Sequence, residues 1–362
     1  MTGDTRSDPE LIDVRADERF DAGRLEAWLR ENLPDNLSGL GGEMTIAQFG
    51  GGHANLTYMV AFEGGAEFVV RRPPLGPIAP SSHDMGREHR VLAPLSRVFD
   101  KAPVSYVFCK DDNVIGAPFH VMERRHGFVI RKKMPDRLAR DPRMNQRIGE
   151  MLIDTLADLH LVDGEAAGLG GLGHPEGFVE RQLQGWTKRW HVAKDKELPE
   201  IDAQIDWLAN ALPSSARVSL LHNDYKLDNV LVDNDDPGVC VAVLDWDMCT
   251  RGDPLMDLGY LLNFWAEGGD PPDWTSVTGM PSDQPGFLTR AQAVERYAAR
   301  TGYDLAHIAW YHVFGVFKLA VIIQQIYIRY VRGQTKDERF AHFGERVRGL
   351  AEKGVTLMGE DS

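Results

Sequence analysis

The chain has 362 residues, which is more than one hydrophobic core usually supports, so two domains are expected. Its 40 basic and 54 acidic residues give a formal net charge of −14, which argues against a general nucleic-acid-binding protein. The three cysteines have no CxxC spacing, so they indicate neither a disulfide framework nor a zinc ribbon. Free thiols are typical of a reducing cytoplasm, and we expect a cytoplasmic protein.

Two segments bear on membrane association. Residues 1–20 lack an apolar stretch preceded by basic residues, so they predict a polar tail and no secretory signal. The most hydrophobic segment, 308–331, contains His312, Lys318 and two glutamines, which interrupt any run long enough to span a bilayer. We therefore predict a buried helix there and no membrane partner.

The first part of the chain is predicted to form a β-rich lobe. The segments "MTIAQF", "TYMVAF" and "AEFVVRR" are rich in β-branched and aromatic residues and are separated by glycine-rich turns, which predicts antiparallel strands. A helix follows in "HDMGREHRVLAPLSRV", and "PVSYVFCKDDNVIGAPFHVMERR" predicts a hairpin with "KDDN" as its turn. We expect this small lobe to cover residues 21–122.

The pattern changes to helical spacing beyond Met122. In "RIGEMLIDTLADLHLVDG" the apolar residues Ile148, Leu152 and Leu159 recur on one helical face, and most later segments are also helical. Residues 123–362 are therefore expected to form a larger, mainly helical lobe. The predicted fold class is α+β, with two lobes.

A dense polar cluster interrupts two apolar runs in "LLHNDYKLDNVLVD", Leu220 to Asp233. A polar hairpin turn on the surface would explain Asp228 and Asn229. It explains less well why His222, Asp224 and Lys226 lie between hydrophobic anchors, since unpartnered buried charges are costly. From these residues alone, a surface turn and a functional loop both stay open as interpretations.

A second polar cluster follows in "VCVAVLDWDMCTRGDPLMDLGYLL". An apolar strand ends at Asp245, and the spacing from Asn229 allows one strand, a turn and a returning strand. The two clusters could therefore meet, and the oxygens of Asn229 and Asp245 are ligands that Mg²⁺ accepts together with phosphates. Asp247 could be a second metal contact or a solvated neighbour, whereas Asp253 and Asp257 are expected to cap a helix and form structural ion pairs.

The motifs "HNDYKLDN" and "LDWD" together resemble the catalytic core of the protein-kinase-like superfamily, specifically the aminoglycoside phosphotransferase and choline kinase family. The resemblance implies a bilobal kinase-like fold, with ATP and Mg²⁺ as cofactors. It implies that Asp224 is the catalytic base, that Lys226 lies near the transferred phosphate, and that Asn229 and Asp245 bind the metal. No long activation segment follows Asp245, and this layout resembles small-molecule kinases.

The same resemblance implies a nucleotide site in the small lobe. Gly51 and Gly52 in "FGGGHANLTYMV" match a glycine-rich loop, although glycines also suit an ordinary hairpin. Arg71 in "FVVRRPP" stands where kinases have a phosphate-binding lysine, and Glu88 matches its acidic partner, with an exposed helical glutamate as the alternative. The backbone of Met122 and Glu123 resembles the hinge that binds adenine.

Two further side-chain groups have a structural interpretation. We expect His160 to be a structural histidine. Trp186 and Trp190, at helical spacing, are expected in the core, with a substrate wall as the alternative.

The predicted function is ATP-dependent phosphorylation of a hydroxyl group on a small molecule. The "VVRRPP" and "HNDYKLDN" sequences resemble most the branch whose kinase-like domains are fused to acyl-CoA dehydrogenases, so a hydroxylated acyl metabolite competes with an aminoglycoside as acceptor. The alternatives are a nucleotide-binding module without transfer activity and a metal-dependent hydrolase. The sequence does not indicate an oligomeric state.

Overall fold

The computed structural model describes residues 10–50, 55–75, 84–215, 217–272, 274 and 279–360. The chain forms two compact units, the first running to His126 with Ala242–Asp247 added, and the second comprising Gly127–Val241 and Met248–Ser362. The boundary lies beyond the expected one at Met122, because Arg125 still belongs to the first unit. Its guanidinium pairs with Glu123 at 2.8 Å and donates to the carbonyl of Asp100.

The first unit contains a six-stranded sheet in the order β1-β2-β3-β4-β6-β5, with antiparallel neighbours throughout. Its strands are β1 (Leu11–Ile12), β2 (Met44–Phe49), β3 (Leu56–Phe62), β4 (Glu67–Arg72), β5 (Ser105–Cys109) and β6 (Phe119–Glu123). Its helices are α1 (Ala22–Asn32), α2 (Met85–Leu95) and α3 (Asp112–Ile115). The predicted antiparallel strands and the predicted β5-β6 hairpin are both present, with α3 in the hairpin connection.

One hydrophobic cluster joins the sheet to α1. Val60, Val70 and Val121, on three adjacent strands, are fully buried together with Leu25 and Leu29 of α1. The period of two in the strands and of four in the helix places these residues on one face of each element. These faces pack together and form the core of the first unit.

The expected polar tail, residues 1–20, was wrong for its second half. Leu11–Ile12 pairs with the end of β2, the Arg15 amide donates to the Gln48 side chain at 3.0 Å, and the Tyr58 hydroxyl donates to the Glu18 carbonyl at 2.9 Å. Two apolar residues among many charges are too short a pattern to indicate a strand, and the neighbouring strand supplies the backbone partners.

The second unit is mainly helical, as predicted. Its strands are β7 (Phe128–Val129), β8 (Ser219–Leu221), β9 (Val230–Val232), β10 (Cys240–Val243) and β11 (Thr250–Gly252), and the last two residues of β10 pass into the first unit. These strands form a β10-β9-β7 sheet and a β11-β8 pair. Its helices are α4 (Asp136–Ala139), α5 (Pro142–Leu161), α6 (Phe178–Ala193), α7 (Pro199–Asn210), α8 (Leu255–Phe264), α9 (Arg290–Thr301), α10 (Ile308–Val331) and α11 (Phe343–Glu360).

Helix α10 is the central helix of this unit. Within the described ranges it is the one helix whose length and composition would allow it to cross a membrane, yet 72% of its most hydrophobic window is buried inside the protein. The prediction of a buried helix is confirmed. Trp186 and Trp190 of α6 are 8% and 1% exposed, which agrees with their assignment to the core.

Candidate active site

The segment that holds Asp224 is a loop between two strands that belong to different sheets. β8 pairs with β11, whereas β9 pairs with β7 and lies beside β10. The loop closes with a short 3₁₀ turn at Leu227–Asn229. Because β8 and β9 are not partners, the interpretation of this segment as a simple surface hairpin was wrong.

Three predicted site residues meet in this loop. The Lys226 ammonium donates to Oδ2 of Asp224 at 2.6 Å, and the Asn229 amide nitrogen donates to the same oxygen at 2.9 Å. Asn229 also donates to the main-chain carbonyl of Asp224 at 2.8 Å. The Asp224 side chain is 30% exposed, so the loop presents an oriented carboxylate that solvent can reach.

Buried Asp257 anchors the backbone of this loop through hydrogen bonds. Its two carboxylate oxygens accept the backbone N–H groups of His222, at 2.6 Å, and Asn223, at 2.8 Å, while His160 lies 3.4 Å away. Burial alone would raise the pKa of Asp257, but the hydrogen bond and charge of His160 and the neighbouring His222 lower it. These contacts agree with the structural roles expected for Asp257 and His160.

Asp253 also has a structural position, at the start of α8. Its carboxylate accepts the N–H of Leu255 at 2.9 Å and the hydroxyl of Tyr311 at 2.8 Å. These contacts agree with a structural role for Asp253, although the residue at the N-cap position of α8 is Pro254.

In the first unit, Arg71 joins two carboxylates. Its guanidinium donates through Nη1 to Glu88 and through Nη2 to Asp245, the latter at 2.9 Å. Although burial lowers the pKa of Arg71, the charges of Glu88 and Asp245 raise it above its usual value, so the guanidinium stays protonated. Glu88 is fully buried, and its interpretation as an exposed helical glutamate was wrong.

A polar chain extends from Glu88 through buried His120 and Ser105 to partly buried His89. His120 Nδ1 lies 3.7 Å from the second Glu88 oxygen, and its Nε2 lies 2.7 Å from the Ser105 hydroxyl, which in turn contacts His89 at 2.6 Å. This chain ties Glu88 to β5 and β6. Sequence reasoning missed it, because a single histidine within "FHVME" gives no indication of such a partner.

Asp245 has an unusual backbone for an aspartate. Its φ of 68° is in the left-handed region, which costs of order 1–3 kcal/mol for a non-glycine residue and occurs often at functional sites. The following residue, Trp246, is 1% exposed and donates through its indole to the Val243 carbonyl at 2.8 Å. Trp246 thus anchors the backbone next to Asp245, and the hydrogen bond from Arg71 orients the Asp245 carboxylate. Asp247 lies close enough to Arg71 to contribute to its raised pKa.

Among the described residues, no group of three or more His, Cys, Asp or Glu side chains could hold a metal ion. Mg²⁺ in phosphotransfer sites needs only one or two protein oxygens, with phosphates and water completing its shell. The carboxylate of Asp245 and the amide oxygen of Asn229 are oxygen donors of this kind. Their chemistry fits Mg²⁺, and their role as its ligands stays a prediction.

The predicted adenine contacts lie at the end of β6. The N–H of Glu123 donates to the Val104 carbonyl at 2.8 Å, and the Glu123 side chain accepts the Val104 N–H at 2.9 Å. Met122 is 6% exposed and pairs with β4 through Val69. Adenine binding by Met122 and Glu123 stays a prediction, and Gly51 and Gly52 lie outside the described residues.

Acid should destabilise the protein through Asp257 and Glu88. Both have a pKa lowered in the folded state, whereas unfolded aspartate and glutamate titrate near about 3.9 and 4.3. Their stabilisation is therefore complete above those values and is lost as the pH falls below about 4. Urea unfolding between pH 7 and pH 3 should show that the free energy of unfolding decreases as the pH falls. The slope of this free energy against pH should be smaller in Asp257→Asn. Equal slopes in the two proteins would contradict the role of Asp257.

The geometry defines a protein of the kinase-like class, with an oriented carboxylate in one unit and an Arg–Glu–Asp cluster in the other. Residues 45–311 match the model of the Phosphotransferase enzyme family. This match covers most of the chain, which belongs to that family. Its resemblance to aminoglycoside phosphotransferases and choline kinase is confirmed, as is the α+β bilobal kinase-like fold.

The curated relatives are longer proteins. The chain is 31% identical to human acyl-CoA dehydrogenase family member 11 over 360 residues, covering 96% of this chain and 44% of the relative. It is 30% identical to the chicken protein of the same name, covering 97% and 45%. The chain therefore spans less than half the length of these relatives. The identity over nearly the whole chain confirms its similarity to the branch predicted from the sequence.

Solved structures give the same fold. A Ralstonia eutropha protein that carries the name aminoglycoside phosphotransferase superposes with a TM-score of 0.80 at 29% identity, covering 94% of this chain and 99% of its own. Choline kinase from Cryptosporidium parvum gives a TM-score of 0.59 at 12% identity, covering 94% and 99%. The second likeness concerns the fold alone.

Proposed function

We propose that this protein is an ATP-dependent kinase that phosphorylates a hydroxyl group of a small molecule. The observation that carries the proposal is the Asp224 carboxylate, which is held by Lys226 and Asn229 and remains accessible to solvent. A general base needs this combination of a fixed orientation and access to the acceptor proton. The family membership supports the same reaction class.

Each site residue has its own role in the proposed phosphoryl transfer. Asp224 orients the acceptor hydroxyl and accepts its proton, while Lys226 and Arg71 supply positive charge for the phosphate oxygens. Asn229 and Asp245 would hold Mg²⁺, which when bound neutralises charge on the nucleotide phosphates. Orientation and electrostatics would then supply most of the rate enhancement.

For the acceptor, we favour a hydroxylated acyl compound over an aminoglycoside. The curated relatives that cover this chain are named acyl-CoA dehydrogenases, so a kinase unit in such a protein is expected to act on a related metabolite. Because the Ralstonia protein carries the name aminoglycoside phosphotransferase, aminoglycosides are the alternative class of acceptor to test.

The direct test is ADP release from Mg²⁺-ATP with hydroxyacyl-CoA compounds, aminoglycosides, choline and homoserine. Transfer to one hydroxyacyl compound would support the proposal and its acceptor class. Transfer to an aminoglycoside alone would keep the kinase and overturn the acceptor. Because Arg71 replaces the usual lysine, a nucleotide-binding module without transfer is the second candidate, and ATP binding without ADP release would favour it.

Replacing Asp245 by asparagine is expected to weaken the binding of Mg²⁺-nucleotide more than the binding of nucleotide without metal. The neutral amide has one oxygen donor and no charge to offer the cation. Calorimetric titration of AMP-PNP with and without Mg²⁺ measures the difference. Asp253→Asn, at the start of α8, changes a buried aspartate of structural role and serves as the control. An unchanged effect of Mg²⁺ in Asp245→Asn would remove Asp245 from its assigned role.

A further inference from the structure

Helix α10 carries a buried cation in the middle of its apolar sequence. Lys318 is 8% exposed, and its ammonium donates to the main-chain carbonyl of Asn223 at 3.0 Å. The ammonium also lies 4.0 Å from the ring centre of Tyr260 and 5.9 Å from that of Trp186. Burying a lysine is costly unless its partners compensate, so a specific use for this charge is worth seeking.

The carbonyl that Lys318 contacts belongs to the peptide unit that precedes the catalytic carboxylate. The N–H of this same peptide unit is that of Asp224, and it donates to His222 Nδ1 at 3.3 Å. Lys318 therefore holds one edge of the Asn223–Asp224 peptide, and His222 holds the other. A rotation of this peptide would redirect the Asp224 side chain.

Asn223 itself needs external support. Its φ of 67° is in the left-handed region, which an asparagine tolerates better than most residues but which still costs free energy. Its N–H is bound by Asp257, and its side-chain amide donates to the Met248 carbonyl at 3.0 Å. Lys318 adds the contact to the remaining main-chain polar group of this residue, the carbonyl.

We infer that Lys318 is a positioning residue for Asp224, which fixes the Asn223–Asp224 peptide and through it the orientation of the catalytic carboxylate. This inference rests on the proposed role of Asp224 as the base. The sequence contained one indication of it, a lysine within the most hydrophobic segment of the chain. The connection to Asn223 spans 95 residues and follows only from the fold.

The surroundings of Lys318 predict a pH dependence of turnover. Burial lowers the pKa of Lys318 to about 8, and the nearby cations Lys226 and Arg189 lower it as well. The carboxylates of Asp257 and Asp224 raise this pKa and offset the lowering only in part. Tyr260, which faces the ammonium, has its pKa raised well above 10 by burial and remains neutral in this range. Turnover of the wild type should therefore decrease as the pH rises above 8, and Lys318→Met should lack this alkaline decrease.

The chain offers a matched control for removal of a buried ammonium. Lys353 of α11 is 1% exposed, donates to the Asn263 carbonyl at 3.0 Å, and lies 5.0 Å from the ring centre of Trp274. Lys353→Met therefore removes the same kind of contact at a place where no proposed site residue is the partner. Methionine keeps most of the apolar volume in both variants.

Amide hydrogen exchange without any ligand tests the contact. In Lys318→Met, the Asp224 amide should exchange about 10- to 100-fold faster, the loss expected from a hydrogen bond to a charged group, while Lys353→Met should leave it unchanged. Lys318→Arg, which keeps the charge, should preserve most of the protection. If Lys318→Met does not fold, faster exchange at Asp224 in Lys318→Gln than in the wild type would support the inference. Unchanged exchange in the variant that folds would overturn it.

Turnover with the acceptor found in the panel tests the catalytic meaning of the contact. Lys318→Met should lower kcat by about 10- to 100-fold while the KM for Mg²⁺-ATP stays within about two-fold. Equal kcat in Lys318→Met and wild type would overturn the inference and leave the proposed kinase intact. If the wild type phosphorylates no acceptor, the proposed function fails, and the exchange experiment alone decides whether Lys318 positions this loop.

Discussion

Replacement of Asp224 by alanine is expected to lower kcat by about 10²- to 10⁴-fold, the contribution of a positioned general base. In the wild type, Lys226 and Asn229 hold the Asp224 carboxylate through hydrogen bonds of 2.6 and 2.9 Å. Alanine removes the proton acceptor and leaves both donors without this partner. The KM for Mg²⁺-ATP should change little, because the loss concerns the acceptor hydroxyl.

Two further variants separate loss of the base from disturbance of the loop. Asp224→Asn keeps the size of the side chain and should lose nearly as much activity, since an amide is not a base. Asp235→Asn changes an exposed aspartate in the connection between β9 and β10 and should keep wild-type turnover. Steady-state ADP release measures all three. Normal turnover in Asp224→Ala would exclude Asp224 as the base and with it the proposed mechanism.

The antiparallel strands and the Asp224 loop could be predicted because their determinants are local. β-branched and aromatic residues mark β3 and β4, and Asp224, Lys226 and Asn229 lie within one short segment. Arg71 lies near the end of β4, and Glu88 lies in the first turn of α2. Their pairing was inferred from resemblance, and the structure places them in contact.

The contacts missed by sequence reasoning all depend on residues far apart in the chain. His120 of β6 lies beside Glu88 of α2, and Lys318 contacts Asn223 from a position 95 residues away in the chain. No periodicity marks such partners, because each is a single polar residue within an apolar element. The strand Leu11–Ile12 was missed for a related reason, since β2 and not its own sequence determines its pairing.

The Arg71–Glu88 pair combines a structural and a functional role. Glu88 is fully buried and its pKa is lowered, because Arg71 and His120 outweigh the effect of burial. A buried ion pair contributes little compared with an apolar pair of the same volume, but removing one partner leaves an uncompensated charge. The two roles can therefore be separated by changing one residue and then both.

Glu88→Leu is expected to lower the free energy of unfolding by about 3 kcal/mol, the lower end of the range for breaking a buried ion pair. The lower end applies because Asp245 remains a partner of Arg71 at 2.9 Å. Adding Arg71→Met should restore part of this loss, since the Arg71–Glu88 pair is then apolar while Asp245 loses its contact with the guanidinium. The double variant should also lose tight ATP binding, because the phosphate-binding cation is removed. Denaturant unfolding and ATP titration of the three variants, with Arg71→Met alone as the third, measure both effects. Retained ATP affinity in the double variant would show that Arg71 has only a structural role.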